Sequence, residues 1–286
     1  MPFFSNVKTI ISLQNEFFNL QDTLSCGQIF RYKPYKEGFL VFSKDKACYA
    51  FEDNATVYIE SEYPTYFENF FDLKKDYSKI VQSAVKEDIL VLTKSALLGK
   101  GIRILKQAKE EMLFSFIISQ NNNIKRIQSI IEKLCDFLGE KFTFDGEEYS
   151  SFPTVDKLAK MPIEFYKKIG LGYRAEYIKL TAERLVNKEI DLNLLESYNT
   201  TKLKAELLKI KGVGEKVANC ITLFGFNRTD SFPVDTWIEK VYKEDMQGEL
   251  KDRKKITEYY LNRFKENAGY YQQYLFYYKR SKEERR

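Results

Sequence analysis

Histidine is absent from the 286-residue sequence, and cysteine, proline and tryptophan are scarce. The four cysteines are widely spaced and form no CxxC pair; they are Cys26, Cys48, Cys135 and Cys220. The usual zinc frameworks and cysteine-ligated iron–sulfur clusters both need compact arrays of such ligands. The lack of histidine also excludes Ser/His/Asp and Cys/His nucleophile systems. Any covalent chemistry therefore has to use lysine, carboxylates, cysteine, tyrosine or backbone groups.

Long hydrophobic runs are absent as well. No stretch approaches 18 consecutive apolar residues, the length that indicates a transmembrane helix. The first residues, MPFFSNVKTIISLQNEFFNL, interrupt their apolar positions with Asn, Gln and Glu, so they lack the continuous hydrophobic segment of a signal peptide. We therefore expect a cytoplasmic protein.

Charge is distributed unevenly along the chain. Residues 1–98 contain 11 Lys and Arg against 13 Asp and Glu, whereas residues 99–286 contain 35 and 28. A basic C-terminal part is compatible with a polyanionic partner such as nucleic acid. Charge alone does not decide the point, because a solvated basic surface is common.

The pattern of apolar residues predicts an α+β protein with two domains. From Ile29 to Glu60 the sequence is rich in aromatic and β-branched residues between short polar breaks, which is typical of strands. Beyond residue 99 helical spacing dominates, for example in IKRIQSIIEKLCDFL. We predict a small antiparallel β-containing domain over residues 1–98 and a larger all-helical domain over residues 99–286.

The stretch KIKGVGEKVANC joins two predicted helices through Gly212, Val213 and Gly214. Residues 203–226 are thus a predicted helix-hairpin-helix. Glycines at such a joint let backbone N–H groups turn outward at the start of the second helix, where the helix dipole also favours an anion. A DNA phosphate fits such a site, although a glycine-capped turn between helices explains the same residues.

Residues that follow the glycines favour chemistry at this joint. Lys216 and Cys220 are four residues apart and share one face of the second helix. Asp235 follows in SFPVDTWIEKV, where it is a predicted helix N-cap. A lysine near a carboxylate, in a chain without histidine, indicates an amine nucleophile.

Together these residues resemble the helix-hairpin-helix/Gly-Pro-Asp superfamily of DNA glycosylases, and more narrowly its 8-oxoguanine DNA glycosylases. The similarity includes SCGQIFR, SQNNNIKRI, LGYRAEYI and AGYYQQYLF and so extends over nearly the whole chain. It implies that Lys216 attacks C1′ of the damaged nucleotide to form a Schiff base, and that Asp235 supports positive charge on the sugar. β-Elimination would then cut the strand.

The resemblance also implies a pocket for the base, which the enzyme must rotate out of the duplex. The Gly27 carbonyl would accept the N7–H of 8-oxoguanine, which guanine lacks. Gln272 would bind the pairing edge of the base. Phe276 and Cys220 would cover its two faces.

A further set of residues would hold the DNA around the extruded nucleotide. By resemblance, Asn121 fills the gap in the duplex, Arg126 and Arg174 hold the orphaned cytosine, and Tyr173 inserts beside it. One departure from the family pattern is Trp237, because animal members carry a histidine there, near a phosphate. The contact with the DNA backbone at this position must therefore differ.

The resulting expectation is a bifunctional 8-oxoguanine DNA glycosylase/AP lyase that prefers cytosine opposite the lesion. It would act as a monomer on duplex DNA, in the cytoplasm and associated with the nucleoid, without a catalytic metal or organic cofactor. Two alternatives stay open. A related glycosylase for another lesion, such as an alkylated base, would not need the Gly27 carbonyl. A DNA-binding module without enzymatic activity would need neither Lys216 nor Asp235.

Overall fold

The computed structural model describes residues 9–284 and begins with a five-stranded antiparallel sheet. In this sheet the first strand pairs with the fifth, and the second to fifth strands follow one another as consecutive hairpins. A separate two-stranded hairpin lies later in the chain. The strands are β1 (Thr9–Gln14), β2 (Tyr32–Tyr35), β3 (Gly38–Ser43), β4 (Lys46–Asp53), β5 (Thr56–Ser61), β6 (Lys141–Phe144) and β7 (Glu147–Ser150).

Helices make up most of the chain after the sheet. Two short 3₁₀ turns, at Asn15–Phe17 and Lys265–Asn267, and one π-helical turn, at Val241–Asp245, accompany them. The α-helices are α1 (Leu20–Ser25), α2 (Pro64–Phe70), α3 (Tyr77–Lys86), α4 (Leu90–Leu98), α5 (Lys109–Ile118), α6 (Ile124–Leu138), α7 (Val155–Lys160), α8 (Ile163–Lys168), α9 (Arg174–Val186), α10 (Leu192–Glu196), α11 (Thr200–Leu207), α12 (Glu215–Phe224), α13 (Thr236–Lys240), α14 (Arg253–Phe264) and α15 (Ala268–Glu284).

The sheet buries one face through period-two alternation. In β5 the side chains of Val57, Ile59 and Ser61 are buried and those between them are more exposed. The buried face packs against α1 and α2 in a compact cluster that includes Leu24 and Phe67. This cluster fixes α1, and with it the loop that follows, against the sheet.

The helical part has its own, larger core. Helix α6 buries Ile127, Ile130, Ile131 and Leu134 along one side, as its spacing predicts. Helix α15 is the longest helix and packs against α4 and α13, with aromatic side chains turned into the core. These contacts hold α4, α13 and α15 together, while α12 packs against α5 and α11 in the same core.

The predicted fold class is confirmed: an antiparallel β domain precedes a larger helical one. The sequence analysis did not predict β1, nor the β6–β7 hairpin inside the otherwise helical part. The hairpin did carry a signal, because its turn is Asp145-Gly146 with φ of 53° and 82°, the Asp-Gly pair typical of two-residue hairpins. The division at residue 98 stays a prediction, although α4 ends there with Gly99 as its C-cap.

Candidate active site

The predicted hairpin joins α11 to α12. Gly212 has φ of +86°, and a Cβ atom there would lie 2.3 Å from Cδ2 of Tyr177, so the turn tolerates only glycine. Gly214 is the exposed N-cap of α12, and a Cβ there would meet nothing within 4 Å. The first N–H groups of α12 have no partner within the helix. The hairpin therefore presents backbone donors at the surface, directly before Lys216.

Helix α12 directs Lys216 and Cys220 toward one small cavity. Lys216 is half-buried, and its Nζ lies 5.8 Å from the centre of the Phe116 ring. Cys220 is buried, and burial raises the pKa of its thiol, while the charge of Lys216 acts in the opposite direction. A thiol kept protonated is a neutral, polarisable surface rather than a nucleophile. Lys216 is thus the better nucleophile of the two.

Asp235 lies at the same cavity, at the start of α13. Its Oδ1 accepts hydrogen bonds from the backbone N–H groups of Trp237 and Ile238, each at 3.0 Å, which confirms the predicted N-cap. Desolvation raises the pKa of this carboxyl above 3.8, while those two N–H groups and the charge of Lys216 oppose the rise. The site thus holds a partly buried carboxyl group close to Lys216.

The loop between α12 and α13 is anchored to the helix that carries Lys216. The Ser231 hydroxyl donates to the backbone carbonyl of Asn219 at 3.0 Å and is 3.2 Å from its side-chain oxygen. Asn219 in turn donates to the Glu215 carbonyl at 2.9 Å. These buried bonds set the distance between the helix and the Pro233-Val234-Asp235 segment. They explain how residues 19 positions apart reach one cavity.

Gly27 closes the cavity from the N-terminal side. Its φ of +84° is a conformation that side chains rarely adopt, and a Cβ would lie 3.6 Å from Cε1 of Phe276. Within residues 9–284, no protein donor bonds to the Gly27 carbonyl. The carbonyl is therefore available to a ligand.

Helix α15 supplies the remaining wall through Gln272 and Phe276, which are one turn apart. The Gln272 side chain is buried, and its Nε2 donates to the Pro233 carbonyl at 3.3 Å. Its Oε1 is buried without a hydrogen-bond partner among the described residues. A buried acceptor without a partner is costly, so this oxygen indicates a place for a ligand donor.

All six residues predicted for catalysis or base binding thus line one cavity. Its volume is about 60 Å³ in this conformation, well below the roughly 300 Å³ or more of most ligand pockets, so a base can enter only if side chains move. Sequence analysis missed five lining residues. Cys26 and Gln273 adjoin predicted residues and Pro233 belongs to the PVD stretch that contains Asp235, whereas Phe116 and Phe224 carried no local signal.

The residues predicted to hold the DNA gather at the N-terminal ends of α6 and α9. Asn121 is exposed with φ of +44°, and Tyr173 keeps 53% of its surface exposed. Arg126 donates to the Gly170 carbonyl at 3.2 Å. Arg174 is buried and donates to the carbonyls of Gln120 and Asn121, the latter at 2.9 Å. In this conformation Arg174 therefore holds the Asn121 turn, and its contact with cytosine stays a prediction.

Trp237 lies in the first turn of α13, with the Lys240 Nζ 4.9 Å from its ring centre.

A second cavity of about 430 Å³ lies between α6, the sheet and the β6–β7 hairpin, but none of the predicted site residues lines it. Over residues 9–284, no group of three or more Cys, Asp or Glu side chains is arranged to hold a metal ion. No helix in that range is both long and apolar enough to cross a membrane.

Comparison with known proteins agrees with this geometry. Residues 10–113 match the family model of the 8-oxoguanine DNA glycosylase N-terminal domain, and residues 114–266 match the HhH-GPD superfamily base excision DNA repair proteins. A probable N-glycosylase/DNA lyase of Methanothermobacter thermautotrophicus is 30% identical over 229 residues, which are 73% of this chain and 72% of that protein. An N-glycosylase/DNA lyase of Saccharomyces cerevisiae is 39% identical over 162 residues, 52% of this chain but only 43% of the yeast protein.

A solved structure gives the most extensive overlap among these comparisons. The Clostridium acetobutylicum 8-oxoguanine glycosylase/lyase, in complex with double-stranded DNA containing cytosine opposite 8-oxoguanine, superposes with a TM-score of 0.89 at 34% identity. The match covers 97% of this chain and 99% of that one. The chain belongs to the 8-oxoguanine DNA glycosylase family of the HhH-GPD superfamily of base excision DNA repair proteins.

Proposed function

We propose that the protein excises 8-oxoguanine from duplex DNA, preferably opposite cytosine, and then cleaves the abasic strand as an AP lyase. The observation that carries the proposal is the convergence of Lys216, Asp235, Gly27 and Gln272 on one cavity. The proposal includes a monomer that acts in the cytoplasm, associated with the nucleoid. It needs neither a metal nor an organic cofactor, because the amine and the carboxylate perform the steps below.

In the first step the neutral amine of Lys216 attacks C1′ as the bond from C1′ to N9 breaks, and the base leaves with the electron pair of that bond. Asp235 stabilises the positive charge that develops on the sugar, because an ionised carboxylate in a partly buried site acts through little screening. The two protons of the amine pass to the departing base and to O4′ as the sugar ring opens, which leaves a Schiff base between Lys216 and C1′. Loss of a C2′ proton then expels the 3′ phosphate and cuts the strand.

Base recognition divides between two acceptors. The Gln272 Oε1 can accept from the N1–H and N2–H groups of the pairing edge, which guanine and 8-oxoguanine share. The Gly27 carbonyl can accept the N7–H, which only 8-oxoguanine has. Guanine would place its N7 lone pair against the carbonyl oxygen. Two acceptors that face each other in this way cost about 1–3 kcal/mol, or roughly 5- to 150-fold in rate. Gln272 thus selects guanine-type bases, and Gly27 selects the oxidised one.

Entry of the base requires the cavity to expand, since about 60 Å³ is small for a purine. Phe276 is the half-buried aromatic residue of the lining, whereas Phe116 and Phe224 are buried. A shift of this ring would let the base stack between Phe276 and Cys220. The hairpin and the Asn121 turn would hold the flanking DNA.

Borohydride trapping tests the proposal. Duplex oligonucleotides with 8-oxoguanine opposite each of the four bases are incubated with wild-type protein, Lys216→Gln, and Lys254→Gln as a control at an exposed lysine of α14. We expect a covalent adduct and strand cleavage with wild type and the control, most rapidly opposite cytosine, and none with Lys216→Gln. Base release from alkylated DNA but not from 8-oxoguanine would favour the related glycosylase. Tight DNA binding without any release would favour the binding module.

A further inference from the structure

Helix α15 does more than form a wall of the pocket. Gln272 and Phe276 face the cavity, but three neighbouring side chains on the same helix reach the segment that ends in Gly27. This segment comprises the last turn of α1 and the residues after it, from Asp22 to Gly27. About 250 residues of chain separate the two partners.

The three contacts are short hydrogen bonds. Gln273 Nε2 donates to the Cys26 Sγ at 3.2 Å, and the Tyr277 hydroxyl donates to the Asp22 Oδ1 at 2.6 Å. Arg280 Nη2 donates to the Ser25 carbonyl at 2.7 Å, a charge-assisted bond. We call Gln273, Tyr277 and Arg280 the α15 clamp.

The other side of the same segment is fixed by Gln28, whose side chain is fully buried. Its Nε2 donates to the carbonyls of Arg103 at 2.7 Å and Thr23 at 3.0 Å and lies 3.2 Å from the Cys26 Sγ. The Cys26 sulfur therefore lies between two glutamine side chains and accepts a hydrogen bond from Gln273. Cys26 is held between the clamp and Gln28, which is itself anchored to the backbone at Thr23 and Arg103.

Gly27 itself has little intrinsic preference for its conformation. Glycine populates positive and negative φ about equally, so its φ of +84° has to be imposed by its neighbours. The direction of the Gly27 carbonyl follows from both φ and ψ of this residue, so it depends on how the chain is held before and after Gly27. Bonds to Ser25 and Cys26, directly before Gly27, and the bonds of Gln28, directly after it, therefore hold the chain on both sides of this carbonyl.

Arg280 also connects the carbonyl to the stacking ring. Its guanidinium carbon lies 5.4 Å from the centre of the Phe276 ring, and its Nη1 is 3.7 Å from where a Gly27 Cβ would be. One side chain thus contacts both the segment that reads N7–H and the ring that covers the base. Movement of either would be transmitted to the other.

We propose that the α15 clamp positions the Gly27 carbonyl relative to Gln272 and Phe276, and so sets how well the enzyme separates 8-oxoguanine from guanine. The inference deepens the proposed function and rests on it. Gln273, Tyr277 and Arg280 are positioning residues, since they act through Gly27 and Phe276. Recognition groups need placement within about 0.5 Å, so losing one bond of the clamp reduces base excision.

Abasic DNA separates this role from a general loss of structure. An abasic site has no base, so its cleavage uses Lys216 and Asp235 but not the Gly27 carbonyl. Clamp variants should therefore lose 8-oxoguanine excision while they keep AP lyase activity. A merely structural role would reduce both reactions together.

The experiment compares single-turnover rates of wild type, Gln273→Ala, Tyr277→Phe and Arg280→Ala on 8-oxoguanine DNA and on a preformed abasic site. We expect each variant to excise 8-oxoguanine at least ~10-fold more slowly, which corresponds to about 1.4 kcal/mol, with AP lyase rates within ~2-fold of wild type. Arg280→Lys, which can still donate to the Ser25 carbonyl, should recover part of the loss. Lys282→Ala removes an exposed charge from the same helix and should match wild type on both substrates.

Several outcomes would overturn the inference. Equal losses on the two substrates would show that the clamp only stabilises the fold. Unchanged excision in all three variants would show that Gly27 is positioned without it. A wild-type protein that cleaves abasic sites but leaves 8-oxoguanine in place would refute the proposed function and the inference together, whereas the first two outcomes leave the proposed function standing.

Discussion

Replacing Asp235 separates its two roles in the structure, since the same oxygen caps α13 and the same charge faces the reacting sugar. Asn and Asp are comparable N-caps, so Asp235→Asn should keep the bonds to the N–H groups of Trp237 and Ile238. Asp235→Ala removes the cap, which costs about 1 kcal/mol of folding free energy. Both variants remove the carboxylate.

The stability of the Asn variant follows from the raised pKa of Asp235. The folded protein holds the proton to a higher pH than the unfolded chain, so folding stability falls as pH rises from the unfolded pKa through the folded one. At neutral pH the ionised carboxylate therefore lowers the folding stability, compared with the protonated carboxyl. We expect Asp235→Asn to be at least as stable as wild type at pH 7, and Asp235→Ala to be less stable than Asp235→Asn.

Both variants should lose catalysis, because both lack the carboxylate. Loss of a group that stabilises developing charge in such a site slows the reaction about 10²- to 10³-fold, or about 3–4 kcal/mol. Single-turnover excision of 8-oxoguanine and urea denaturation, measured on the same preparations, give the two quantities. A stable Asp235→Asn protein that excises at the wild-type rate would refute the assignment of the carboxylate to catalysis.

Two further predictions follow from the same geometry. Excision should slow as pH falls through the raised pKa of Asp235, giving an acidic limb with its midpoint above 3.8, and this limb should be absent from the residual activity of Asp235→Asn. Gly212→Ala should weaken DNA binding about 10-fold, because the new Cβ would lie 2.3 Å from the Tyr177 ring and displace the hairpin. Gly146→Ala, which imposes similar φ strain at the β6–β7 turn, should lower stability but keep DNA affinity, and equal affinity losses in the two variants would contradict the hairpin assignment.

Local patterns were sufficient where one segment decides its own structure. The apolar spacing of residues 124–138 predicted α6, and the Gly-Val-Gly stretch predicted the hairpin before α12. The position of Asp235 predicted its N-cap. In each case the hydrogen bonds and the buried face involve residues that are close together in the chain, so the sequence pattern alone indicates the element.

Patterns were insufficient where a distant partner decides the structure. Strand β1 exists because it pairs with β5, 42 to 52 residues away, and its short sequence alone does not require a strand. Arginine is usually a surface residue, yet Arg174 is buried, because the backbone carbonyls of Gln120 and Asn121 accept hydrogen bonds from its guanidinium group. Burial of a charged group depends on such partners.

By itself, the sequence determined the chemistry of this protein: which side chain can be the nucleophile, which carboxylate can assist it, and, through resemblance, which residues would read the base. Only the tertiary structure decided how those residues are aimed. Within residues 9–284 the Gln272 Oε1 has no hydrogen-bond partner while its Nε2 donates to the Pro233 carbonyl, and Gly27 adopts φ of +84° beside a clamp from α15. The directions of the Gly27 carbonyl and the Gln272 amide depend on contacts between segments far apart in the chain, because neither group has a strongly preferred orientation of its own.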